Sequence, residues 1–246
     1  MTVRKWLTVL LIVLPLAIGA WVARDLFGPD LRTLSPRLHV DGDALVGTLS
    51  IDNALGPDRL LGASSPEARV EVVTPDQPLP LPIPAGASVE LDPGGAHLRL
   101  TGLEGEATVG RLVLLTLDFE KAGERRMRAR IVEPPEAMHG REGKAGEGGP
   151  SLSLAAEPDA RGGWDVRLET RGFRFLGPDE LVVEPDAGHA HLYVGGLKLG
   201  RLYQPSGRVP PLPPGRHVLR ATLNRADHAL CIADGAPVEA RLTIGE

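Results

Sequence analysis

Residues 49–73 read LSIDNALGPDRLLGASSPEARVEVV, residues 83–103 read IPAGASVELDPGGAHLRLTGL, and residues 113–132 read VLLTLDFEKAGERRMRARIV. Each stretch holds short runs in which apolar and polar residues alternate, and glycine, proline or aspartate separates the runs. A period of two predicts a strand with one buried face, whereas an amphipathic helix needs a period near 3.6 residues. These stretches therefore predict short strands joined by tight turns.

The same alternation continues along the rest of the chain. It predicts strands over residues 69–73, 97–102, 111–119, 165–170, 191–194, 218–223 and 240–244. The 30 glycines and 23 prolines among 246 residues favour many turns over long helices. We therefore expect an all-β protein with two small β-sandwich or barrel domains.

Composition divides the chain into segments. Residues 37–132 form the first predicted domain and residues 151–246 the second. Residues 133–150 between them are rich in glycine, proline and charge, which is typical of a linker. Residues 28–36 are predicted to be a short tether that follows an N-terminal segment at residues 1–27.

The N-terminal segment predicts a membrane helix. Arg4 and Lys5 precede the uncharged run WLTVLLIVLPLAIGAWVA at residues 6–23. Eighteen residues of helix span roughly 27 Å, close to the thickness of a bilayer core. The positive residues should stay in the cytoplasm, so the rest of the chain is expected in the periplasm of a bacterium. Ala20 and Ala23 are poor cleavage positions, which favours an uncleaved signal anchor, with a removed signal as the alternative.

Charge and motifs exclude several functions. The net charge of −5 disfavours a nucleic-acid partner. The chain contains no G-x-S-x-G, no H-E-x-x-H and no glycine-rich phosphate loop, so we expect no enzyme activity. Asp58, Glu67 and Asp92 fall at turns or strand ends, where solvated capping is the usual role. The single cysteine, Cys231, is expected to be a buried, inert thiol.

The first domain resembles the PCu(A)C family of periplasmic copper chaperones. The matching motifs are DRLLGASSPEARVE, IPAGASVELDPGGAHL and LTLDF, in that order. The resemblance implies a cupredoxin-like β-domain that holds Cu(I) with two histidines and two methionines. Its fold motifs are present here, but most of its ligand positions are not.

The resemblance assigns four ligand positions, and this chain keeps one of them. The histidine that ends the strand after SP-x-A is replaced by Val73. The following loop, TPDQPLPLP at residues 74–82, contains no methionine. In the GG-x-H-x-M motif the histidine is kept as His97, but the methionine is Arg99. His97 and Arg99 share a strand face, so a fixed positive charge lies where the metal would bind. We expect His97 to be a framework histidine that bonds a loop.

The second domain carries most of the histidines. It resembles small exported bacterial β-domains with a GH-x-H strand and an LPPG-x-H turn. His189 and His191 lie two residues apart, so both point to one strand face and could bind one metal ion. His228 is the preferred third ligand and His217 the reserve. The alternatives are structural histidines and a ligand or partner surface. Metal binding should weaken below about pH 6.5, because the ligands must be deprotonated.

Two functions of different classes follow. The first is a membrane-anchored periplasmic copper chaperone that binds copper or delivers it, for instance to a respiratory oxidase. Its partners would be the inner membrane and a copper-receiving periplasmic or membrane protein. Copper is the expected metal, and zinc is less favoured. The second is an interaction module or scaffold that has lost copper and kept the chaperone fold.

Overall fold

The computed structural model describes residues 31–133, 149–180 and 182–246, and its regular elements there are strands. In the first half they are β1 (Leu31–Asp41), β2 (Ala44–Asn53), β3 (Asp58–Ser64), β4 (Arg69–Val73), β5 (Leu81–Ile83), β6 (Ala87–Leu91), β7 (His97–Thr101), β8 (Leu112–Phe119) and β9 (Gly123–Val132). The all-β expectation is confirmed for these ranges, and each predicted run falls on a strand.

Ten more strands follow in the second half. They are β10 (Ser151–Pro158), β11 (Trp164–Arg171), β12 (Arg174–Phe175), β13 (Ala187–Val194), β14 (Leu197–Leu202), β15 (Ser206–Val209), β16 (His217–Arg225), β17 (Ile232–Ala233), β18 (Ala236–Pro237) and β19 (Glu239–Ile244). Loops of glycine, proline and aspartate connect them, as the turn-rich composition predicts.

The first half has its own hydrophobic core. β2 pairs with β1 along one edge, and along its other edge first with β7 and then with β6. β1 runs parallel to β9, which continues through β8 and β3 to β5. The inward residues of these strands, such as Leu38, Ile51, Leu98 and Phe119, are almost completely buried. The alternation in the sequence therefore places one face of each strand in this core.

The expected tether is in part a strand. β1 begins at Leu31, so residues 31–36 belong to the first domain and not to a linker. Leu31 is buried and pairs with Asn53 of β2. The register shifts between Leu34 and Arg37, and Ser35 has a φ of 50°. This bulge breaks the alternation, which is why the pattern did not reveal the strand.

The second half forms a sandwich. β19, β16, β13 and β14 lie side by side, and β10, β11 and β15 form a separate three-stranded sheet. Val166 and Leu168 of β11 pack with Leu192 of β13 and Ala221 of β16 in a second core. This core also contains Cys231.

The two halves are in direct contact. Lys198 of β14 pairs with Glu90 of β6, which makes one sheet continuous across both halves. The amide of Ala96 donates a hydrogen bond of 2.7 Å to the carbonyl of Gly196. Leu197 belongs to the first core although it lies on a strand of the second half. The first domain is therefore packed against the second at β6 and the turn before β7.

Two sequence predictions concern residues outside the described ranges. The anchor at residues 1–27, including its apolar run at residues 6–23, lies there, as does most of the linker at residues 133–150. Within the described part of the chain, no helix has the length and apolar character needed to cross a membrane.

Candidate metal centre

β13 carries the two histidines of the GH-x-H motif, and both of its faces are buried. Ala190, Leu192 and Val194 point into the second core and are at most 1% exposed. His189 and His191 alternate with them on the opposite face, where they are 4% and 7% exposed. The two imidazoles are therefore removed from bulk solvent, which is unusual for histidines on an ordinary strand face.

His228 reaches the same place from a turn. The turn follows β16 and is closed by a hydrogen bond of 3.0 Å from the amide of His228 to the carbonyl of Arg225. Arg225 also forms a 2.6 Å ion pair with Asp227, whose carboxylate accepts the amide of Ala229. His228 has a φ of 65°, a left-handed conformation that few residues other than glycine adopt. The turn thus holds this exposed side chain over β13.

The three imidazoles converge. One ring nitrogen from each of His189, His191 and His228 lies within 4.8 Å of the others. The Nε2 atoms of His189 and His191 are 3.0 Å apart. Bonds of 2.0–2.1 Å to one tetrahedral metal would separate ligand nitrogens by about 3.3 Å, which is close to the distance between His189 and His191. No other group of three or more His, Cys, Asp or Glu within residues 31–133, 149–180 and 182–246 has such spacing.

Burial keeps these imidazoles neutral. It lowers the pKa of His189 to about 4 and that of His191 to about 2, with smaller contributions from neighbouring positive charges. Burial also lowers the pKa of His228, with help from Arg201 and Lys198. Neutral imidazole is the form that binds metal. The loss of metal binding expected below about pH 6.5 stays a prediction, and the burial of His189 and His191, which the sequence did not reveal, favours a lower pH for it.

Positive charge near the cluster disfavours the binding of a cation. Arg201 and Lys198 both depress the pKa of His189 and His191. The ammonium of Lys198 is balanced, since it lies 3.2 Å from Glu90 and 3.1 Å from Asp92. Both carboxylates belong to the first domain, so that domain contributes to the electrostatics of the cluster.

The cluster opens into clefts on two sides. A cleft of about 410 Å³ is lined by His191, His228 and Tyr193 from the second domain and by residues 92–94 of the first. A smaller cleft of about 80 Å³ reaches His189 and His228 from the side of Arg201. An ion held by three imidazoles would thus keep an open coordination position and a route to solvent.

His217 does not join the cluster. It pairs with Ile244 at the start of β16, whereas His189 pairs with Asn224 near the other end of that strand. Its Nε2 lies 2.7 Å from the carbonyl oxygen of Pro213. His217 is buried at the head of the strand and stabilises the LPPG turn, so the reserve ligand of the sequence prediction is a structural histidine.

His97 also lies apart from the cluster. Its Nδ1 is 3.1 Å from the carbonyl oxygen of Gly95, the loop contact that the framework interpretation expected. Val73 pairs directly with His97, and Arg99 lies exposed on the same strand. The position of the family's second histidine is therefore beside His97, but the side chain there offers no ligand.

The loop at residues 74–82 has a different use in this chain. The side chain of Asp76 is completely buried and forms an ion pair of 2.9 Å with Arg220 of β16. Gln77 accepts a hydrogen bond of 3.0 Å from the amide of Val218 through its Oε1. In the family that the first domain resembles, this loop carries a methionine. Here it forms an ion pair and a hydrogen bond with the second domain.

The sequence prediction missed Tyr193 and Arg220. Tyr193 follows His189 and His191 at the same spacing of two, so continued alternation would have placed it on their face. Its hydroxyl lies 3.4 Å from Nδ1 of His191. Arg220 lies on β16 with its guanidinium carbon 4.0 Å from the centre of the Tyr193 ring. No local pattern distinguishes Arg220 from a solvated strand residue.

The remaining predicted residues have structural surroundings. Burial raises the pKa of the Cys231 thiol to about 11, which agrees with an inert cysteine. Asp58 caps backbone amides as expected, but it is only 3% exposed and so is not solvated. Glu67 accepts the amide of Leu114 and pairs with Arg111. Asp92 accepts the amide of Gly94.

Comparison with known proteins identifies relatives of the first domain. Residues 35–131 match the family described as "Putative lipoprotein LpqE-like". Among solved structures, the chain is similar to a copper-bound PCuAC domain from PmoF2, with 27% identity over 43% of this chain and 94% of that one, at a TM-score of 0.39. It is also similar to an apo PCuAC domain from PmoF1, with 28% identity over 43% and 95% of the two chains, at a TM-score of 0.39.

A third similar structure is an apo PCuAC domain from PmoF2, with 29% identity over 45% of this chain and 94% of that one, at a TM-score of 0.38. No protein with a curated description matches the chain. The predicted resemblance of the first domain to the PCu(A)C family is confirmed. The family match ends at residue 131, and the resemblance drawn for the second domain stays a prediction.

Proposed function

We propose, from the premise that residues 35–131 form a PCuAC-related domain, that this protein handles copper and holds it in the second domain. The ligands would be His189, His191 and His228. The observation that carries the proposal is the convergence of three imidazoles, whose ring nitrogens lie within 4.8 Å of one another. His189 and His191 are buried and His228 is exposed, and burial keeps the first two neutral. The first domain supports copper through its relatives, and the second supplies the donors.

The donor set favours particular metals. Imidazole nitrogen suits copper and zinc, and three imidazoles without a thiolate or thioether suit Cu(II) or Zn(II) better than Cu(I). The copper-bound relative of the first domain favours copper over zinc. The open side of the site, at the larger cleft, would take water or a donor from a second protein.

Delivery and localisation form part of the same proposal. The apolar run at residues 6–23 supports an inner-membrane anchor, with the metal centre in the periplasm. A copper-receiving protein, for instance an oxidase under assembly, would approach the cleft beside His228. Nothing in the chain's motifs supports catalysis, so we propose a chaperone and not an enzyme.

A second candidate function is an interaction module without metal. The observation that favours it is the conversion of the first domain's ligand loop into a contact with the second domain through Asp76 and Gln77. This observation argues against copper binding by the first domain and does not concern the second domain. It leaves the three histidines of the second domain unexplained, so we place metal handling first.

The test is metal binding by the purified full-length protein after loading with Cu(II) or Zn(II). We expect one bound equivalent in the wild type and none in the double variant His189→Ala/His191→Ala. His97→Ala and His217→Ala are matched controls, since both remove an imidazole away from the cluster, and both should keep the metal. Equal metal content in the double variant would exclude this site. Absence of metal in the wild type would favour the interaction module.

A further inference from the structure

A buried ion pair connects the two domains beside the histidine cluster. Nε of Arg220 lies 2.9 Å from each carboxylate oxygen of Asp76, and one terminal nitrogen donates to the carbonyl of Gly94 at 2.7 Å. The side chain of Asp76 is 0% exposed and that of Arg220 is 6% exposed. Breaking such a pair leaves an uncompensated buried charge, so the guanidinium is held firmly in one place.

The ring of Tyr193 is enclosed by this pair and by a turn of the first domain. The guanidinium of Arg220 covers the ring at 4.0 Å. A Cβ atom at Gly94 would lie 2.9 Å from the Tyr193 hydroxyl, and one at Gly95 would lie 3.0 Å from two ring carbons. The double glycine therefore allows the first domain's backbone to pack directly on the ring, which fixes its orientation.

Tyr193 in turn contacts a proposed metal ligand. Its hydroxyl lies 3.4 Å from Nδ1 of His191, while Nε2 of His191 faces His189. A histidine that binds metal through Nε2 carries its proton on Nδ1 and needs an acceptor there. The hydroxyl of Tyr193 can accept that Nδ1–H when it donates its own proton to Thr222, to which its side chain is hydrogen-bonded, and it would then select the tautomer whose Nε2 is free for metal.

We propose that Asp76, Arg220 and Tyr193 are positioning residues through which the first domain sets the metal affinity of the second. The inference rests on the proposed function of the three histidines. Two segments of the first domain correspond to copper motifs of the family that it resembles, namely the loop at residues 74–82 and the turn at residues 92–95. In this chain they act on a metal site that belongs to the other domain.

The test compares three variants of the full-length protein. Tyr193→Phe keeps the ring and removes the acceptor, so the affinity for Cu(II) or Zn(II) should fall about 10- to 100-fold. Asp76→Asn weakens the hold on Arg220 without touching a ligand and should also reduce affinity, by a smaller factor. Arg241→Gln is the matched control, because Arg241 lies 3.4 Å from the same Asp76 carboxylate and is half-exposed. It should leave the affinity unchanged.

A second readout needs no metal. Nitrogen-15 NMR of the imidazoles reports which ring nitrogen of His191 carries the proton. We expect the Nδ1–H tautomer in the wild type and a mixture in Tyr193→Phe and Asp76→Asn. A general loss of packing would not select one tautomer of one histidine. If Asp76→Asn fails to fold, Tyr193→Phe decides, since it leaves the ion pair in place.

The possible failures are distinct. Wild-type affinity in both Tyr193→Phe and Asp76→Asn would overturn the coupling and leave the proposed function intact, as would an unchanged His191 tautomer. A wild-type protein that binds no metal would overturn the proposed function, and the coupling with it. An equal loss of affinity in Arg241→Gln would show that any change at Asp76 disturbs the site, which also contradicts a specific path through Tyr193.

Discussion

Nε2 of His189 lies 3.0 Å from Nε2 of His191, and both rings are buried on the face of β13 that is turned away from the second core. Two neutral imidazoles at this distance form a hydrogen bond in the absence of metal, with one ring donating to the other. For a metal ion to bind both Nε2 atoms, the donating ring would have to carry its proton on Nδ1 instead. Burial lowers the pKa of both rings, so they stay neutral at neutral pH, and the cleft beside His228 gives an ion a route to them.

The metal-free protein should lose stability as the pH falls from 7 to 5. The unfolded histidines take up protons near pH 6.5, whereas burial lowers the folded pKa of His189 to about 4 and of His191 to about 2. The unfolded state therefore binds more protons across this window. The free energy of unfolding should fall by about 2 kcal/mol per histidine. Urea unfolding at both pH values checks this. His189→Gln/His191→Gln should show a shallower dependence, and an equal slope would contradict the burial argument.

His228→Ala should weaken metal binding by more than about 100-fold, since it removes a direct ligand and not an outer contact. His217→Ala is the control, because it removes a buried imidazole from the far end of β16. Competition with a chelator of known affinity measures both. Equal losses in the two variants would mean that His228 does not bind the ion, and thermal unfolding would show whether either change acts through the fold.

The first domain should regain Cu(I) binding when its ligands are restored. We would introduce Val73→His and Arg99→Met into the His189→Ala/His191→Ala protein, where Val73 pairs with His97. Affinity for Cu(I) should rise at least tenfold, because soft copper prefers imidazole and thioether donors. It should stay incomplete, since the loop at residues 74–82 lacks methionine. Val73→His alone is the control, and tight Cu(I) binding before any change would refute the argument.

Asp58→Ala should destabilise the protein by about 3 kcal/mol, because it leaves three partly buried amides without their charged acceptor. The carboxylate accepts the amides of Arg59, Lys121 and Ala122 at 2.7, 2.9 and 2.9 Å. Asp118→Ala is the matched control, since Asp118 is exposed on β8 and should change stability by less than about 0.5 kcal/mol. Denaturant unfolding compares them, and similar values would mean that water replaces the lost acceptor.

Local periodicity determined much of this protein. Alternation identified the strands at Arg69–Val73 and Leu112–Phe119 almost to the residue, because a buried face repeats every second position. The same rule placed His189 and His191 on one face. It did not find the start of β1, where the bulge at Ser35 interrupts the pattern.

Only the tertiary structure decided which histidines meet. The sequence ranked His228 above His217 by position, but both follow turns, and burial and distance separate them only after β16 pairs with β13. Asp76 and Arg220 are 144 residues apart, and no short-range pattern couples them. The physical reason is that strand alternation depends on neighbours along the chain, whereas a buried ion pair and a shared ligand cluster depend on how separate strands pack.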